Sequence, residues 1–289
     1  MDVLLIVNPI SGDKNKSSFL KFASQLMSQQ RLDSYIYKTT GKDDFKEVGL
    51  LIKTKRPRKV IVVGGDGTLN MFLDVFKLEG SLIGHIPMGS ANGMAEEFDL
   101  IDSPKQLFEN YLASENHFEV DLLLLNQKHL LLHLGDLGAN ANLVENYEKD
   151  KSRGLFTYAK YFWSEFKNLK GFEFEIETEK NTYVRKGVML AICNGRKFGT
   201  GVPLNTIGKM NDGLFELVII KAVDFSDLIK ATYSKFDEDY EIQNFETIQA
   251  KSAQIILRKP NLLQIDGEII DQFDKIQIDV EPKALKFIK

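Results

Sequence analysis

The chain has one cysteine, Cys193, in 289 residues. No intramolecular disulfide can form, so a buried core must supply the stability. Cys193 sits in the apolar run 187–194 and reads as a small buried hydrophobe. Excess positive charge is also missing: 37 Lys and Arg against 41 Asp and Glu give a net charge of -4 and no reason to expect a nucleic-acid partner. The leucine-rich patch 122–134 is broken by Asn126, Gln127, Lys128 and His129, so no run approaches the roughly 18 apolar residues of a spanning helix. The start, Met1 to Asn8, lacks the basic region and long apolar core of a signal peptide and reads as a strand. A cytoplasmic chain without a transmembrane segment is expected. His85, His117, His129 and His133 share no spacing with cysteines or acids that would hold zinc, and read as structural. Two nucleotide signatures are absent as well: the Gly-x-x-x-x-Gly-Lys-Ser/Thr loop and the Gly-x-Gly-x-x-Gly fingerprint.

What is present is ordinary globular composition, 43% hydrophobic and 27% charged. The length favours two domains, placed at 1–120 and 121–289. In the first, short apolar strands at 3–7, 35–37, 60–63 and 82–86 are each followed by a polar or glycine turn and a helical pattern. That alternation predicts a parallel sheet covered by helices, with all four turns on one edge. The second part reads as mainly β, with strands at 172–177, 183–188, 214–220, 253–257 and 276–280. A helix at 155–169, with Tyr158, Phe162, Trp163 and Phe166 on or beside its apolar face, is the exception. That face is read as core packing, with a lipid cleft or membrane interface as the functional alternative.

The chemistry gathers in the turns. Residues 59–70 pass from a buried strand through Gly64, Gly65, Asp66, Gly67 and Thr68 into a helix containing Leu69 and Asn70. Glycines permit positive φ and let amides approach an anion, and a helix N-terminus favours phosphate. A carboxylate there, Asp66, is repelled by a polyphosphate unless a divalent cation stands between or a hydroxyl is being oriented, which points to Mg²⁺. The bland alternative is a Gly-Asp-Gly turn capping a helix. A second turn of the same kind, Ile86 to Ala95, carries Ser90 and Asn92; Asn8, Pro9, Ser11 and Gly12 follow the first strand and Thr39 follows the second.

These segments together resemble the diacylglycerol kinase catalytic family, in its bacterial soluble lipid kinase branch. The resemblance continues through Asn194-Gly195, Asn211 to Glu216 and Gln264 to Glu268, so it covers nearly the whole chain in order. It implies an α/β nucleotide-binding domain, a C-terminal β-sandwich domain and an active site in the cleft between them. It also implies that residues 8–12, Thr39, residues 64–70, Ser90 and Asn92 bind ATP, with Asp66 linked to Mg²⁺. Asp121 resembles an acid that joins this magnesium network, with strand entry or capping as its alternative. A structural Mg²⁺ is implied on Asp212 with backbone oxygens near Lys209 and Leu214, where an Asp-Gly turn is the plain reading. Glu268 is implied as the general base, with Asp266 beside it; from the residues alone, a hairpin turn explains Asp266-Gly267-Glu268 better.

The chain departs from the family pattern at Ser90, where threonine is usual, and at Gly93, where a carboxylate usually follows the asparagine; Glu96 and Glu97 are the nearby acids. The implied activity is ATP-dependent phosphorylation of a membrane-lipid hydroxyl, diacylglycerol-like, at the inner membrane surface, and a homodimer is the candidate assembly. The alternatives are an NAD kinase-type phosphotransferase, which shares the Gly-Gly-Asp-Gly-Thr turn, and a weakly active lipid or nucleotide regulator.

Overall fold

Unbroken apolar runs mark strands covered on both faces, and the first strand is one: β1 (Val3–Val7) is buried at every position. The computed structural model describes residues 1–13, 15–90, 92–138, 171–198, 202–221 and 245–289. The expected helix at 155–169, with its aromatic face, lies outside the described residues. The chain divides into two units, Met1–Val120 with Lys283–Lys289, and Asp121–Pro282.

In the first unit β1 is followed by α1 (Ser17–Gln29), β2 (Ser34–Lys38), α2 (Asp44–Lys55) and β3 (Lys59–Gly64). Then come α3 (Asp66–Asn70), α4 (Leu73–Glu79), β4 (Leu82–Pro87), α5 (Gly93–Glu97) and α6 (Pro104–Ala113). The strands run parallel in the order β4-β3-β1-β2. Register aligns Val7 with Lys38 and Val63, and Val63 with Ile86. All four turns therefore leave the sheet from one row, which is what places them on a common edge.

Period sorts the two faces. Val3, Leu5, Val7, Ile61 and Val63 pack with Phe19, Ala23 and Met27 of α1 and with Leu107, Phe108 and Tyr111 of α6. The alternate residues Leu4, Ile6, Val60 and Val62 are equally buried. Spacing of four along α1 makes its apolar stripe, and Phe19 meets Phe108 edge-on at 5.7 Å. Ser103 caps α6 by accepting the Gln106 amide at 3.3 Å, with Pro104 in the first turn. Truncating a core residue such as Leu5 to alanine would cost about 2–5 kcal/mol.

The chain leaves this unit within β5 (His117–Leu125). Every described element of the second unit is a strand. They are β6 (His129–Leu131), β7 (Leu134–Leu137), β8 (Phe172–Thr178), β9 (Thr182–Gly187), β10 (Met189–Cys193) and the two-residue pair β11 (Lys197–Phe198) and β12 (Val202–Pro203). Next are β13 (Phe215–Ile220), β14 (Glu246–Ala250), β15 (Ser252–Ile265) and β16 (Glu268–Ile288). Pairing is antiparallel, β14-β13-β10-β7-β15-β16, with β8 and β9 added along β15. Irregular register after Ile256 and after Leu263 lets β15 pair with β8 over 253–257 and with β7 over 263–265. One strand can thus serve two layers around a core that includes Leu123, Phe174, Ile192, Phe215, Ile255 and Ile276. Cys193 is buried within β10.

The expected division assigned everything after residue 120 to the second domain. Instead the end of β16 returns to the first unit, where Lys286 and Phe287 pair in parallel with Leu82 and Ile83 of β4. Phe287 packs there with Phe98 at 4.8 Å and Phe118 at 5.9 Å. These apolar side chains and the open edge of β4 give the last residues more to bury and bond than solvent would. Among the described residues, no helix is long and apolar enough to cross a membrane.

Candidate active site

The turns of the first unit are in backbone contact. A Cβ added to Gly12 would lie 2.7 Å from the Gly89 carbonyl carbon, and one on Gly89 would lie 2.4 Å from the Gly65 Cα. One on Gly64 would meet Thr68 Oγ1 at 2.5 Å. Only glycine fits at such approaches. The expected use of positive φ in the Gly64 to Gly67 turn is corrected here: Gly65 has φ -95°, and neither Gly64 nor Gly67 is left-handed. Absence of a side chain, not freedom of φ, is the requirement; only Gly12 of this group, φ 67°, combines both.

Side chains then lock the turns together. Asn8 Nδ2 donates to Thr68 Oγ1 at 3.0 Å, and Ser11 Oγ donates toward the carbonyls of Asn8 and Met88 at 3.2 and 3.3 Å. Asn92 closes its own turn, its Oδ1 accepting the Gly89 amide at 3.0 Å and its Nδ2 donating to the Gly89 carbonyl at 3.2 Å. Asp66 reaches across to the same turn: Oδ2 accepts the Gly93 amide at 2.6 Å and Oδ1 the Met94 amide at 3.3 Å. The carboxylate thereby fixes the turn after β4 to the turn after β3, using position 93 through its backbone.

Thr39 is buried, and its amide donates to Val7 O at 2.9 Å. Asp44 sets the loop that follows by accepting from the Thr40 amide at 2.9 Å, the Gly41 amide at 2.7 Å and the Tyr37 hydroxyl at 2.7 Å. Burial raises its carboxyl, but these bonds outweigh that and hold it below the ordinary value. Ser90 is exposed at the edge, as is Gly67. Pro9 is exposed between Asn8 and Ile10. Leu69 is fully buried and its amide donates to Gly65 O at 3.3 Å, so it belongs to the helix packing rather than to a ligand-facing surface.

Sequence reasoning passed over two contributors to these turns. His85 on β4 is buried with Nε2 3.4 Å from the Gly64 carbonyl, and burial lowers its pKa to about 4, so it is neutral near pH 7. The neutral ring leaves Gly64 supported without adding charge. Asp44 had a legible signal, an acid in the first turn of α2 three residues after a glycine.

The edge suits an anion and its counter-ion. Backbone lines it where any Cβ would intrude, and Asn70 Oδ1 is buried with no hydrogen-bond partner among the described residues. An unmatched acceptor beside a carboxylate fits a hydrated Mg²⁺ better than it fits a bare phosphate, which offers only acceptors.

In the second unit the structure brings Asp121, Lys209, Asp212 and Leu214 to one turn. Asp121 is fully buried; its amide donates to Met210 O at 2.7 Å and its Oδ2 accepts the Gly213 amide at 2.7 Å. Its carboxylate holds the 209–214 turn. Asp212 is exposed, with Oδ1 accepting the Leu214 amide at 3.1 Å, and Gly213 turns the chain at φ 73°. Exposed Asp212 offers carboxylate oxygen of the kind a hard cation accepts, although no group of three or more His, Cys, Asp or Glu forms a metal cluster among the described residues.

Asp266 and Gly267, at φ 48° and 92°, are the two central residues of the β15–β16 hairpin, and Ile265 pairs directly with Glu268. Two residues of positive φ match the right-handed twist of the strands. The Asp266 carboxylate accepts the amides of Leu132, His133 and Leu134, each at 2.9 Å, and its own amide donates to Leu134 O at 2.8 Å. Burial pushes its carboxyl above the ordinary range against the opposing pull of those amides. The Gln264 amide, between Asp136 Oδ2 and Gly267 N at 3.0 Å each, braces the same turn. Glu268 is exposed, its backbone paired with Ile265 across the hairpin. The structure therefore separates the two acids: Asp266 builds the turn, and Glu268 is displayed by it.

A parallel sheet with glycine turns in close contact at one edge, followed by an antiparallel β unit that displays a carboxylate, defines an α/β plus β class of protein. Comparison with known proteins gives the particular family. Residues 2–124 match the diacylglycerol kinase catalytic domain, and residues 137–289 match the YegS C-terminal NAD kinase beta sandwich-like domain. The chain belongs to this family of diacylglycerol kinase catalytic domains joined to a YegS-type β-sandwich domain. A protein of Salmonella arizonae described as a probable lipid kinase YegS is 26% identical over 99% of this chain and 95% of its own length. The Salmonella typhimurium protein of that description is 24% identical, over 98% and 94%. The crystal structure of a putative diacylglycerol kinase from Bacillus anthracis superposes with a TM-score of 0.81 at 21% identity, covering 99% of this chain and 95% of that one. At that identity the superposition speaks for the fold.

Proposed function

We propose that the protein is an ATP-dependent lipid kinase that transfers the γ-phosphoryl group to a hydroxyl of a diacylglycerol-like lipid at a bilayer surface. The observation that carries this reading is the mutual backbone contact of Gly12, Gly65 and Gly89 at one sheet edge, in a chain of the diacylglycerol kinase catalytic family. Amides free of side chains can surround phosphate oxygens there, as at other helix N-termini and glycine turns. The probable lipid kinases among its relatives support the lipid acceptor.

Residues 8–12, Thr39, 64–68, Ser90 and Asn92 would hold the nucleotide, and Asp66 with Asn70 would hold Mg²⁺ directly or through water. Mg²⁺, when bound, supplies charge neutralisation on the phosphate oxygens. A second ion would sit on Asp212 with the carbonyls of Lys209 and Leu214. Glu268 takes the proton of the lipid hydroxyl as its oxygen bonds to the γ-phosphorus; the bond to the β-phosphate bridging oxygen breaks, and ADP leaves. Asp266 acts by holding the hairpin that presents Glu268. The position of Gly93 contributes no carboxylate, so Asp66 carries the acidic role at this edge alone among the residues assigned to it.

The test is transfer of ³²P from labelled ATP to diacylglycerol, monoacylglycerol, a sphingoid base, a polyprenol and NAD, with Mg²⁺ varied. Wild type should label one lipid class, and Asp66→Ala and Glu268→Gln should not. Label in NADP would select an NAD kinase-type reaction, and no transfer to any lipid at any Mg²⁺ concentration would overturn the kinase reading.

A further inference from the structure

The assigned nucleotide turns contain no lysine or arginine: none lies in 8–12, 39–41, 64–70 or 86–93. A polyphosphate nevertheless carries several negative charges, and backbone amides offer only partial ones. Lys38 and Lys42, which flank the Thr39 turn, are exposed, where water screens them strongly. Lys16 differs. It precedes α1, is only 4% exposed, and its Nζ donates to the Ser11 carbonyl at 2.5 Å.

Ser11 and Gly12 form the part of the first turn that touches Met88 and Gly89, so the ammonium is held one residue from the backbone junction of the three turns. A charge in such a low-dielectric setting acts on an anion far more strongly than one in water. An ammonium is also a compact head with three donors, able to keep the carbonyl and meet a phosphate oxygen.

We propose that Lys16 binds the diphosphate portion of the nucleotide, the cationic partner that the turns themselves lack. This rests on the kinase reading. The rival is a lysine that only staples the turn shape, and binding data separate the two. In wild type and Lys16→Met, calorimetric affinities for ADP and for adenosine are measured between low and moderate salt. Lys16→Met should bind ADP roughly 10- to 100-fold more weakly, the loss of one charge-assisted hydrogen bond. Adenosine affinity should stay within about twofold, and the salt dependence of ADP binding should flatten. Lys16→Arg should recover most of the ADP affinity.

Wild-type protein supplies a readout that does not depend on any variant folding. Adenosine diphosphopyridoxal, with an aldehyde at its phosphate end, should form a borohydride-reducible Schiff base on Lys16, and ATP should block it. Unchanged ADP affinity in Lys16→Met, equal losses for ADP and adenosine, or labelling that spares Lys16 would each overturn the proposal. If wild type binds ADP but Lys16→Met binds it equally, this inference fails alone; if wild type binds no adenine nucleotide, the kinase reading fails with it.

Discussion

Glycine is used for opposite reasons at the crowded sheet-edge turns of the first unit and at two tight turns of the second. At the proposed nucleotide edge of the first, Gly64 and Gly89 are crowded, and an added Cβ would strike neighbouring atoms at 2.5 and 2.4 Å, while their φ values stay outside the left-handed region. In the second, Gly213 and Gly267 have nothing within 4 Å of an added Cβ, yet φ is 73° and 92°. The first pair provides room for backbone to meet backbone; the second provides rotation at a turn. Carboxylates, in contrast, do the same job in both. Asp66 captures the Gly93 amide, Asp266 the amides of Leu132 to Leu134, and Asp121 that of Gly213. Each ties one loop to a distant one, so these three motif acids are anchors for backbone.

The comparison can be tested by loss. The largest effect is expected at the displayed acid: Glu268→Gln should lower lipid phosphorylation by roughly 10²- to 10⁴-fold, with ATP affinity and thermal stability near wild type. Parallel loss of ATP binding would show that the division between a nucleotide-holding and a proton-accepting unit is wrong. Next, Gly89→Ala should destabilise by about 3 kcal/mol or more, because the atom it meets is backbone and cannot rotate away. Denaturant unfolding measures this, and a near-neutral result would remove the crowding argument.

Third is His85. Its folded pKa, about 4, lies below the ordinary value of 6.5, so its contribution is present above pH 6.5 and is lost as pH falls toward 4. Protonation should cost up to about 3 kcal/mol across that window, and His85→Gln, which cannot titrate, should flatten that part of the stability profile. Smallest is Gly267→Ala, where only φ is strained: about 1 kcal/mol. If it proved as damaging as Gly89→Ala, the contrast between room and rotation would collapse.

Much of this was legible beforehand because it is local. The runs at 3–7, 60–63 and 82–86 have a period and an apolar content that admit only buried strands, and Asp266-Gly267 is a hairpin pair by its chemistry alone. Strands such as β10 and β14 were less distinct, since short apolar or mixed runs do not declare their partners. The return of Lys283–Lys289 to the first unit was hidden for the same reason: nothing near residue 286 specifies that β4 has an open edge.

The sequence by itself determined the α/β plus β order, the turns that carry glycine and acid, and the resemblance that joins them. Tertiary structure alone decided what each acid and glycine does. Asp66 is 27 residues from Gly93, Asp121 is 92 from Gly213, and Asp266 is 134 from Leu132. Propensity and spacing act over a few residues, whereas a hydrogen bond to a particular amide exists only once the fold has brought that amide within about 3 Å.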